Sequence, residues 1–564
     1  MSMLKGHPKG LFVLFFSNMG ERFGYYTMLA IFTLFLQDHF GWDETRAYNL
    51  YGIFLAGIYF APLLGGIIAD QWLGYGKTVS LGIIIMAIGY ALLAVPVADD
   101  PTPVYIALAV ISLGVGLFKG NLVVILGNLY EGEGLKKMQD AAFNIFYMGI
   151  NIGAMFAPHV ARSLKNWVME GDGFVYNNAI PKIANDVIRN VDVSPERMGI
   201  IQSAMDSAQG TYASLQIFAE KYIESLSTGY HWGFGFSVVT LAISIVIFLS
   251  FRKYYKEADY RQADKVQSAD YVELTPKQTR DRIFALVLVF IIVIFFWMAF
   301  HQNGSALTGF AKNYTDLTVS KWTYLLFSIP TLLSIFAAIL GVFAMINKSA
   351  SRAMKGLGAL FFAGGAGFIA YKLGYLGMDL PGVITDTRID PELFQSFNPM
   401  FVVWMTPVMV GFFAYLAKHS KEPSAPAKIG IGMLITASAY VIMIGASAML
   451  PSVHSLGGNA VDSALAVSPY FLIGTYFTLT IAELFLSPMG LSFVAKVAPP
   501  KFRGLMQGGW LAATAIGNYA AGFVGRFYQQ WELWQFFLLL VVLAALSGFI
   551  MFSILKIVNR ASTS

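Results

Sequence analysis

The sequence GERFGYY, residues 20–26, places Glu21 and Arg22 inside the first long apolar segment of the chain. A charged side chain at the middle of a bilayer costs at least ~2.5–3.5 kcal/mol on insertion scales, so these residues indicate a polar pathway through a membrane protein. At helical spacing, the polar and aromatic side chains of this segment share one face. That face carries Asn18, Glu21, Arg22, Tyr25 and Tyr26. The alternative is an Arg–Glu ion pair that ties two helices together.

The composition is that of an integral membrane protein. The chain has 564 residues, of which 56% are hydrophobic and 13% charged, and its mean hydropathy is +0.61. Apolar runs of about 20 residues predict roughly fourteen spanning helices. They lie near 11–37, 47–69, 78–96, 104–129, 141–160, 232–251, 283–303, 322–346, 356–377, 398–417, 428–450, 468–495, 505–526 and 533–556. We predict an all-α membrane protein, because barrel strands would alternate over about 10 residues.

Charge is distributed unevenly between the two predicted sides of the membrane. The short loops 97–103 and 451–467 contain no Lys or Arg, whereas loops on the other side are basic. The positive-inside rule therefore predicts a multi-pass protein of the cell membrane with both termini in the cytoplasm. The first apolar run is too long for a cleavable signal peptide, so we expect it to span the membrane. The net charge of +5 does not indicate nucleic-acid binding, and the lack of Cys excludes disulfides.

The predicted spans divide into six helices, a cytoplasmic linker and eight helices. The expected units are an N-terminal six-helix bundle (1–160 and 232–251), an extracytoplasmic insertion (161–231), the linker (252–281), a C-terminal six-helix bundle (282–303 and 398–557) and an extra helix pair (322–377). Within the insertion, residues 196–226 have the periodicity of an amphipathic helix. No sequence motif of an enzyme or of a metal site is present.

Few ionisable residues remain at membrane depth besides Glu21 and Arg22. They are Lys119, His301 and Glu483. Cations from the first half and an anion from the second half would form a dipolar cavity that complements a zwitterion. His301 is either a structural residue or a proton carrier, because an unperturbed histidine has a pKa of ~6.5. Polar and aromatic residues suited to a small-molecule pocket are Tyr25, Tyr26, Tyr59, Asn151, Trp297, Gln302, Asn398, Trp510 and Asn518.

Eight segments carry a family resemblance along nearly the whole chain. They are GERFGYY (20–26), LLGGIIADQWLGYGK (63–77), FKGN (118–121), FNIFYMGINIGA (143–154), FFWMAFHQNGS (295–305), FQSFNP (394–399), EPSAPAKIGIG (422–432) and ELFLSPMGLSFVAKVAPPKFRGLMQGGWLAATAIGN (483–518). Together they resemble motifs of the proton-coupled oligopeptide transporter family, within the major facilitator superfamily. The resemblance implies two six-helix bundles plus two additional helices, and import of di- and tripeptides with protons by alternating access. It implies no cofactor other than the proton gradient.

The resemblance also implies roles for individual residues. Arg22 and Lys119 would hold the peptide carboxylate, and Glu483 and Asn398 would hold the amino end. Contacts with the peptide backbone would come from Tyr25, Tyr26, Tyr59 and Asn151, and the side-chain pockets would be lined by Trp297 and Trp510. The expected partners are the peptide, protons and the lipid bilayer, and the protein is expected to be a monomer.

Three departures from the family pattern affect proton coupling and topology. Asn18 replaces the first motif glutamate, so Lys119 loses the partner that is usual in the family. His301 replaces the acid of the seventh helix, and Leu29 stands where family members often have the arginine that pairs with it. The extra pair at 322–377 follows the seventh span, whereas bacterial members usually carry it before that span. The remaining proton-coupling candidates are Glu21, His301 and Glu483.

The sequence leaves three functions open. The first is a peptide symporter with rearranged proton sites. The second is a transporter of another small solute, such as an amino acid or a nitrate-like anion. The third is a peptide facilitator or sensor with altered or absent proton coupling.

Overall fold

The fold is almost entirely α-helical. The computed structural model describes residues 6–131, 135, 138–259, 275–347, 350–377, 380–499 and 503–563. Within these ranges, β-structure is limited to two isolated bridges, Thr315–Val467 and Thr318–Arg388. Fourteen of the described α-helices have 18 residues or more, and ten described segments are long and apolar enough to cross a membrane by length and composition. The predicted all-α membrane fold is confirmed.

The N-terminal part of the chain contains eight α-helices. They are α1 (Lys9–Phe40), α2 (Glu44–Ile68), α3 (Tyr75–Ala94), α4 (Thr102–Asn128), α5 (Gln139–Gly171), α6 (Ile180–Ile188), α7 (Pro195–Ser207) and α8 (Leu215–Ser250). α1 packs against α5 and α8. Ser237 donates a hydrogen bond to the Gly24 carbonyl at 2.7 Å, and a Cβ on Gly24 would lie 2.4 Å from the Thr240 hydroxyl. Small residues therefore allow α1 and α8 to approach closely, as is common in membrane bundles.

The C-terminal part contains ten α-helices. They are α9 (Pro276–Phe300), α10 (Ala306–Tyr314), α11 (Lys321–Tyr324), α12 (Ile329–Ile346), α13 (Arg352–Lys372), α14 (Phe397–Lys418), α15 (Ala425–Ser447), α16 (Tyr470–Val497), α17 (Arg503–Gln530) and α18 (Leu533–Thr563). α15 packs against α16 and α18, and α9 packs against α17 and α18. Gln302 is fully buried and donates to the carbonyl of Ala521 at 3.0 Å. This residue therefore connects the end of α9 to α17 and has a structural role.

α12 and α13 form a helical hairpin, and most of its residues are exposed on the surface of the molecule. A Cβ on Gly341 would lie 2.4 Å from the Gly358 carbonyl oxygen, so the two helices approach through glycines. Only a few residues of either helix are buried. The rings of Phe336 and Trp404 stack at 6.3 Å between α12 and α14. This exposed apolar surface is what a helix pair in contact with lipid requires.

The two halves of the chain meet along α2 and α17. A Cβ on Gly52 would lie 2.7 Å from the Gly522 Cα, and a Cβ on Gly522 would lie 2.6 Å from the Tyr48 carbonyl oxygen. α5 also contacts α14 across the same boundary. We call the side of the molecule where α1 ends and α2 begins the distal side, and the side where α1 begins the terminal side.

One predicted helix is wrong, and another ends three residues before its predicted end at 303. The single amphipathic helix expected at 196–226 is two helices, because α7 ends at Ser207 and α8 begins at Leu215. Ser214 stops the helix from continuing, since its backbone is extended and its hydroxyl caps the Ile217 amide at 3.3 Å. α9 ends at Phe300, so His301 begins a 3₁₀ turn beyond that helix.

The predicted linker 252–281 lies partly outside the described residues. Its described beginning forms two short turns, and Asp259 accepts a hydrogen bond from the Gly76 amide at 2.7 Å. α9 begins within the predicted linker at Pro276, because Thr275 and Gln278 form a capping box.

Candidate functional site

α1 carries an ion pair between neighbouring residues. The Arg22 guanidinium donates to both carboxylate oxygens of Glu21, from Nε at 2.5 Å and from Nη2 at 2.6 Å. Both side chains are buried, and the guanidinium lies 4.7 Å from the centre of the Tyr25 ring. Glu21 therefore neutralises Arg22 within one helix. The alternative of an Arg–Glu pair that ties two helices together is wrong.

Lys119 on α4 is a second cation of the first bundle, and it is not neutralised in the same way. Its ammonium lies 3.6 Å from the centre of the Tyr59 ring on α2, in a cation–π contact. Among the described side chains, no carboxylate lies within ion-pairing distance of this ammonium. The amide nitrogen of Asn18 is buried and has no hydrogen-bond partner among the described residues. The substitution of the family glutamate by Asn18 thus coincides with an unpaired lysine.

Glu483 on α16 is bound from both halves of the chain. It accepts hydrogen bonds from the Tyr147 hydroxyl on α5 at 3.1 Å and from the Asn398 amide on α14 at 2.9 Å. Asn398 is oriented by a second hydrogen bond, to the Thr480 hydroxyl at 3.0 Å. Tyr147 is 37% exposed, whereas Glu483 is buried. Two neutral donors therefore position the Glu483 carboxylate. A ligand ammonium could replace these donors or bind beside them.

The end of α9 contributes two aromatic side chains that face α2. The rings of Trp297 and His301 stack at 5.5 Å, and His301 packs against Tyr59 at 6.3 Å. Trp297 Nε1 and His301 Nε2 are buried and have no hydrogen-bond partner among the described residues. Tyr59 therefore contacts Lys119 of the first half and His301 of the second half, which brings three predicted site residues together.

Three further residues of the predicted site, Tyr25, Tyr26 and Asn151, lie near Arg22 or near the Glu483 cluster. Tyr25 and Tyr26 contact each other at 5.0 Å, and Tyr26 is within electrostatic range of both Arg22 and Glu483. Asn151 is buried and donates to the Tyr147 carbonyl at 3.1 Å, one turn earlier on α5. These residues belong to the same region of the molecule as Glu483.

Two further predicted positions have mainly apolar surroundings. Trp510 packs against Phe290 at 6.4 Å, and a Cβ on Gly490 would overlap its ring. Leu29 is buried in the core of the first bundle. No described contact joins Trp510 or Leu29 to the charged residues.

A polar network joins the two halves on the distal side, and sequence reasoning missed it. Lys165 of α5 lies 2.7 Å from Glu392 and 3.4 Å from Asp390, and Arg162 lies 3.1 Å from Asp390. Although burial opposes ionisation, Lys165 and Arg162 hold the pKa of Asp390 below its usual range. All four side chains lie outside the predicted pocket, and we call them the distal network.

A second distal ion pair connects the end of α1 to α10. Lys312 lies 2.5 Å from Asp38, which also accepts a hydrogen bond from the Tyr230 hydroxyl at 2.6 Å. The side-chain amide of Asn185 on α6 donates to the Asp38 carbonyl at 2.7 Å. The described distal side is therefore held closed by buried charges from both halves.

The geometry defines a class of protein before any comparison is made. A helical membrane protein with opposed charges between two bundles, and with bundle contacts through ion pairs, is suited to moving a small charged solute across a bilayer. The family model described as "POT family" matches residues 76–271 and 377–535. The chain belongs to this family, which is a family of membrane transporters and not of enzymes, and the predicted resemblance is confirmed.

Curated relatives match the chain over most of its length. The peptide transporter YePEPT of Yersinia enterocolitica subsp. palearctica is 26% identical over 538 residues, which cover 92% of this chain and 88% of that protein. Dipeptide and tripeptide permease B of Photorhabdus asymbiotica is 23% identical over 528 residues, which cover 92% of this chain and 87% of that protein.

Solved structures have the same fold. A crystal structure of the peptide transporter POT in complex with sulfate has a TM-score of 0.66 and 22% identity, and covers 99% of this chain and 96% of that one. A POT family transporter in complex with 5-aminolevulinic acid has a TM-score of 0.66 and 20% identity, and covers 98% of each chain.

Proposed function

We propose that this protein is a secondary active transporter that imports di- and tripeptides by alternating access, with protons as the coupled ion. The observation that carries the proposal is the position of Glu483, which is bound by Tyr147 and Asn398, opposite the cations of the first bundle. Tyr59 contacts Lys119 of the first half and His301 of the second half, which supports a site shared between the two halves. The peptide-transporting relatives support the same substrate class.

The proposed binding mode follows the two charges of a zwitterionic peptide. Its carboxylate pairs with Lys119 and with the free edge of the Arg22 guanidinium, while its ammonium pairs with Glu483 beside Asn398. The peptide groups contact the tyrosine and asparagine side chains between these ends, which are Tyr25, Tyr26, Tyr59 and Asn151. Trp297 lines a side-chain pocket, and Trp510 is retained as a proposed second wall.

The proposal also covers the proton coupling, the oligomeric state and the orientation of the protein in the membrane. Protons are carried by one or more of Glu21, His301 and Glu483, and no cofactor is required beyond the proton gradient. The protein acts as a monomer in the cell membrane with both termini in the cytoplasm, so the distal side faces outward. The N-terminal bundle, the C-terminal bundle and the extra pair are proposed as the units of the transporter, with the helix bounds given above.

One assay tests this function. The purified protein is reconstituted into proteoliposomes, and uptake of labelled Ala-Ala is measured with and without an imposed inward proton gradient. Concentrative uptake that tripeptides inhibit and that free amino acids and nitrate do not inhibit is the expected result. Inhibition by nitrate or by free amino acids alone would favour another solute, and exchange without accumulation would favour a facilitator or sensor.

A further inference from the structure

The wall formed by α4, α2 and the end of α9 offers hydrogen-bond donors and few acceptors. Its charged member is Lys119, which has no described carboxylate partner, whereas Arg22 is already neutralised by Glu21. Its neutral members are Trp297 and His301, and both have a buried ring nitrogen without a partner. Tyr59 connects them, since its ring contacts both the ammonium and the imidazole.

Such unsatisfied donors are costly unless a ligand supplies an acceptor. A buried donor without a partner costs about 1–3 kcal/mol. The indole N–H donates only, and the imidazole donates from Nε2 in the tautomer that carries its proton there. A peptide backbone that is bound by its two ends leaves these donors free, because its carboxylate is taken by Lys119 and Arg22. Because the peptide groups contact the tyrosine and asparagine side chains in the proposed binding mode, a side chain of the peptide can supply the missing acceptor.

We propose that the Trp297–His301 wall binds a side-chain carboxylate, so that the preferred substrates of this transporter are di- and tripeptides that contain Asp or Glu. This inference rests on the proposed peptide transport. A carboxylate receives charge-assisted hydrogen bonds that are about twice as strong as those to a neutral amide. The nearby Lys119 ammonium adds attraction for an anion and repulsion for a cation.

Competition for uptake tests the inference. Uptake of labelled Ala-Ala into proteoliposomes is inhibited with Ala-Glu, with its neutral isostere Ala-Gln, and with Ala-Lys. Ala-Glu is expected to inhibit at a concentration about tenfold lower than Ala-Gln, and Ala-Lys is expected to be the weakest. A ratio near one between Ala-Gln and Ala-Glu would overturn the inference while leaving peptide transport intact. Absence of Ala-Ala uptake would overturn both.

Variants of the wall test which residues cause the preference for Ala-Glu. In each variant, the ratio of the inhibitory concentrations of Ala-Gln and Ala-Glu is measured, so that a general loss of transport does not affect the comparison. Trp297→Phe and His301→Phe each remove a donor and keep a ring, and each is expected to move the ratio towards one. Trp322→Phe is the matched control, since that indole is 59% exposed and its described ring contact is with Tyr375, and its ratio is expected to equal that of the parent protein. An unchanged ratio in both wall variants would overturn the assignment.

Two further competitors test whether the wall recognises a peptide or only a negative charge. Free glutamate and nitrate are tested at the same concentrations as Ala-Glu. Neither is expected to compete as well, because each lacks the paired ends that Lys119 and Glu483 bind. Equal competition by either would mean that the wall binds anions without recognising a peptide, which would overturn the inference. If a ring substitution prevents folding, His301→Met removes the donor with a flexible side chain and gives the same ratio test.

Discussion

The Lys165 ammonium lies 2.7 Å from the Glu392 carboxylate, and neither side chain is exposed to solvent. Lys165 belongs to α5 of the first half, whereas Glu392 lies just before α14 of the second half. In the proposed alternating-access transport, these halves separate on the distal side. Each opening would then break a buried ion pair and admit water to its charges, so we expect the distal network to favour the closed state.

Lys165→Met is expected to favour opening of the distal side. Removing one partner of a buried ion pair costs about 3–5 kcal/mol, because the remaining charge is left without compensation. Since the chain contains no Cys, a single Ser396→Cys substitution reports opening by its rate of labelling with a membrane-impermeant maleimide. Ser396 is buried and belongs to the same short 3₁₀ helix as Glu392, Pro391–Ser396, and the rate is expected to rise about tenfold or more.

The control for this substitution is Lys221→Met. Lys221 pairs with Glu224 at 2.6 Å, but both side chains are well exposed, and such surface pairs contribute about 0–1 kcal/mol. Labelling in this variant is expected to match the parent protein. Equal rates in the Lys165 and Lys221 variants would show that the buried pair does not hold the distal side closed.

The stabilising contribution of Asp390 is expected to be lost only in strong acid. The folded pKa of Asp390 is depressed by Lys165 and Arg162, so its stabilising contribution is complete above the unfolded pKa of about 3.9. It is lost as the pH falls through the lower folded value. Asp390→Asn should therefore lower the Tm by a constant amount above about pH 5, and this difference should shrink below about pH 4.

The measurement is thermal unfolding of the detergent-solubilised protein and its Asp390→Asn variant across pH. The charged groups that face Asp390 are Lys165, Arg162 and Glu392, and only neutralisation of the acid removes the pairing at low pH. A difference in Tm that changes most between about pH 6 and 8 would assign the transition to another group.

Tyr147→Phe is expected to weaken dipeptide transport. The substitution removes a hydroxyl that donates to Glu483 at 3.1 Å, and hydrogen bonds to charged groups contribute about 1.5–3 kcal/mol, so the KM should rise about tenfold. The measurement is the KM for Ala-Ala in proteoliposomes. Tyr519→Phe is the control because Tyr519 is exposed on α17. A KM equal to that of the control would separate Tyr147 from substrate binding.

Gly522→Ala is expected to disrupt the contact between the halves. The added Cβ would lie 2.6 Å from the Tyr48 carbonyl oxygen, a separation that requires α2 and α17 to move apart, and overpacking typically costs about 1–3 kcal/mol. The Tm in detergent should fall. Gly411→Ala should leave it unchanged, because nothing lies within 4 Å of that position. Equal Tm values would mean that the helices adjust without cost.

The fold and the charged residues of the site were predictable from sequence, but their pairing was not. Glu21, Arg22, Lys119 and Glu483 stand out because apolar spans rarely contain charges. Sequence patterns do not reveal side-chain conformation, so the closure of Arg22 onto its neighbour Glu21 was not foreseen. Tyr147 lies within the motif at 143–154, but a single tyrosine in a membrane helix has many structural uses, so the sequence alone does not identify it as a site residue.

The distal network was missed for a different reason. Lys165 and Glu392 are separated by 227 positions, and both lie near predicted helix ends, where charged residues are normally solvated. Only the tertiary packing of α5 against the segment before α14 removes them from water. Lys165 would have been a stronger candidate if the length of α5 had been known, since that helix continues to Gly171.

His301→Ala is expected to reduce proton-driven accumulation more than peptide binding. The imidazole packs between Trp297 and Tyr59, and the Tyr59 ring also contacts Lys119. The imidazole Nε2 is buried and has no hydrogen-bond partner among the described residues. A proton taken up there would add a charge close to that ammonium, so the peptide carboxylate and the proton would stabilise each other's binding. Accumulation of Ala-Ala under a pH gradient is compared with its binding affinity in the same variant. His419→Ala, at an exposed position after α14, is the control. If accumulation and affinity fall by the same factor, His301 contributes to binding alone, and coupling must rest on Glu21 or Glu483.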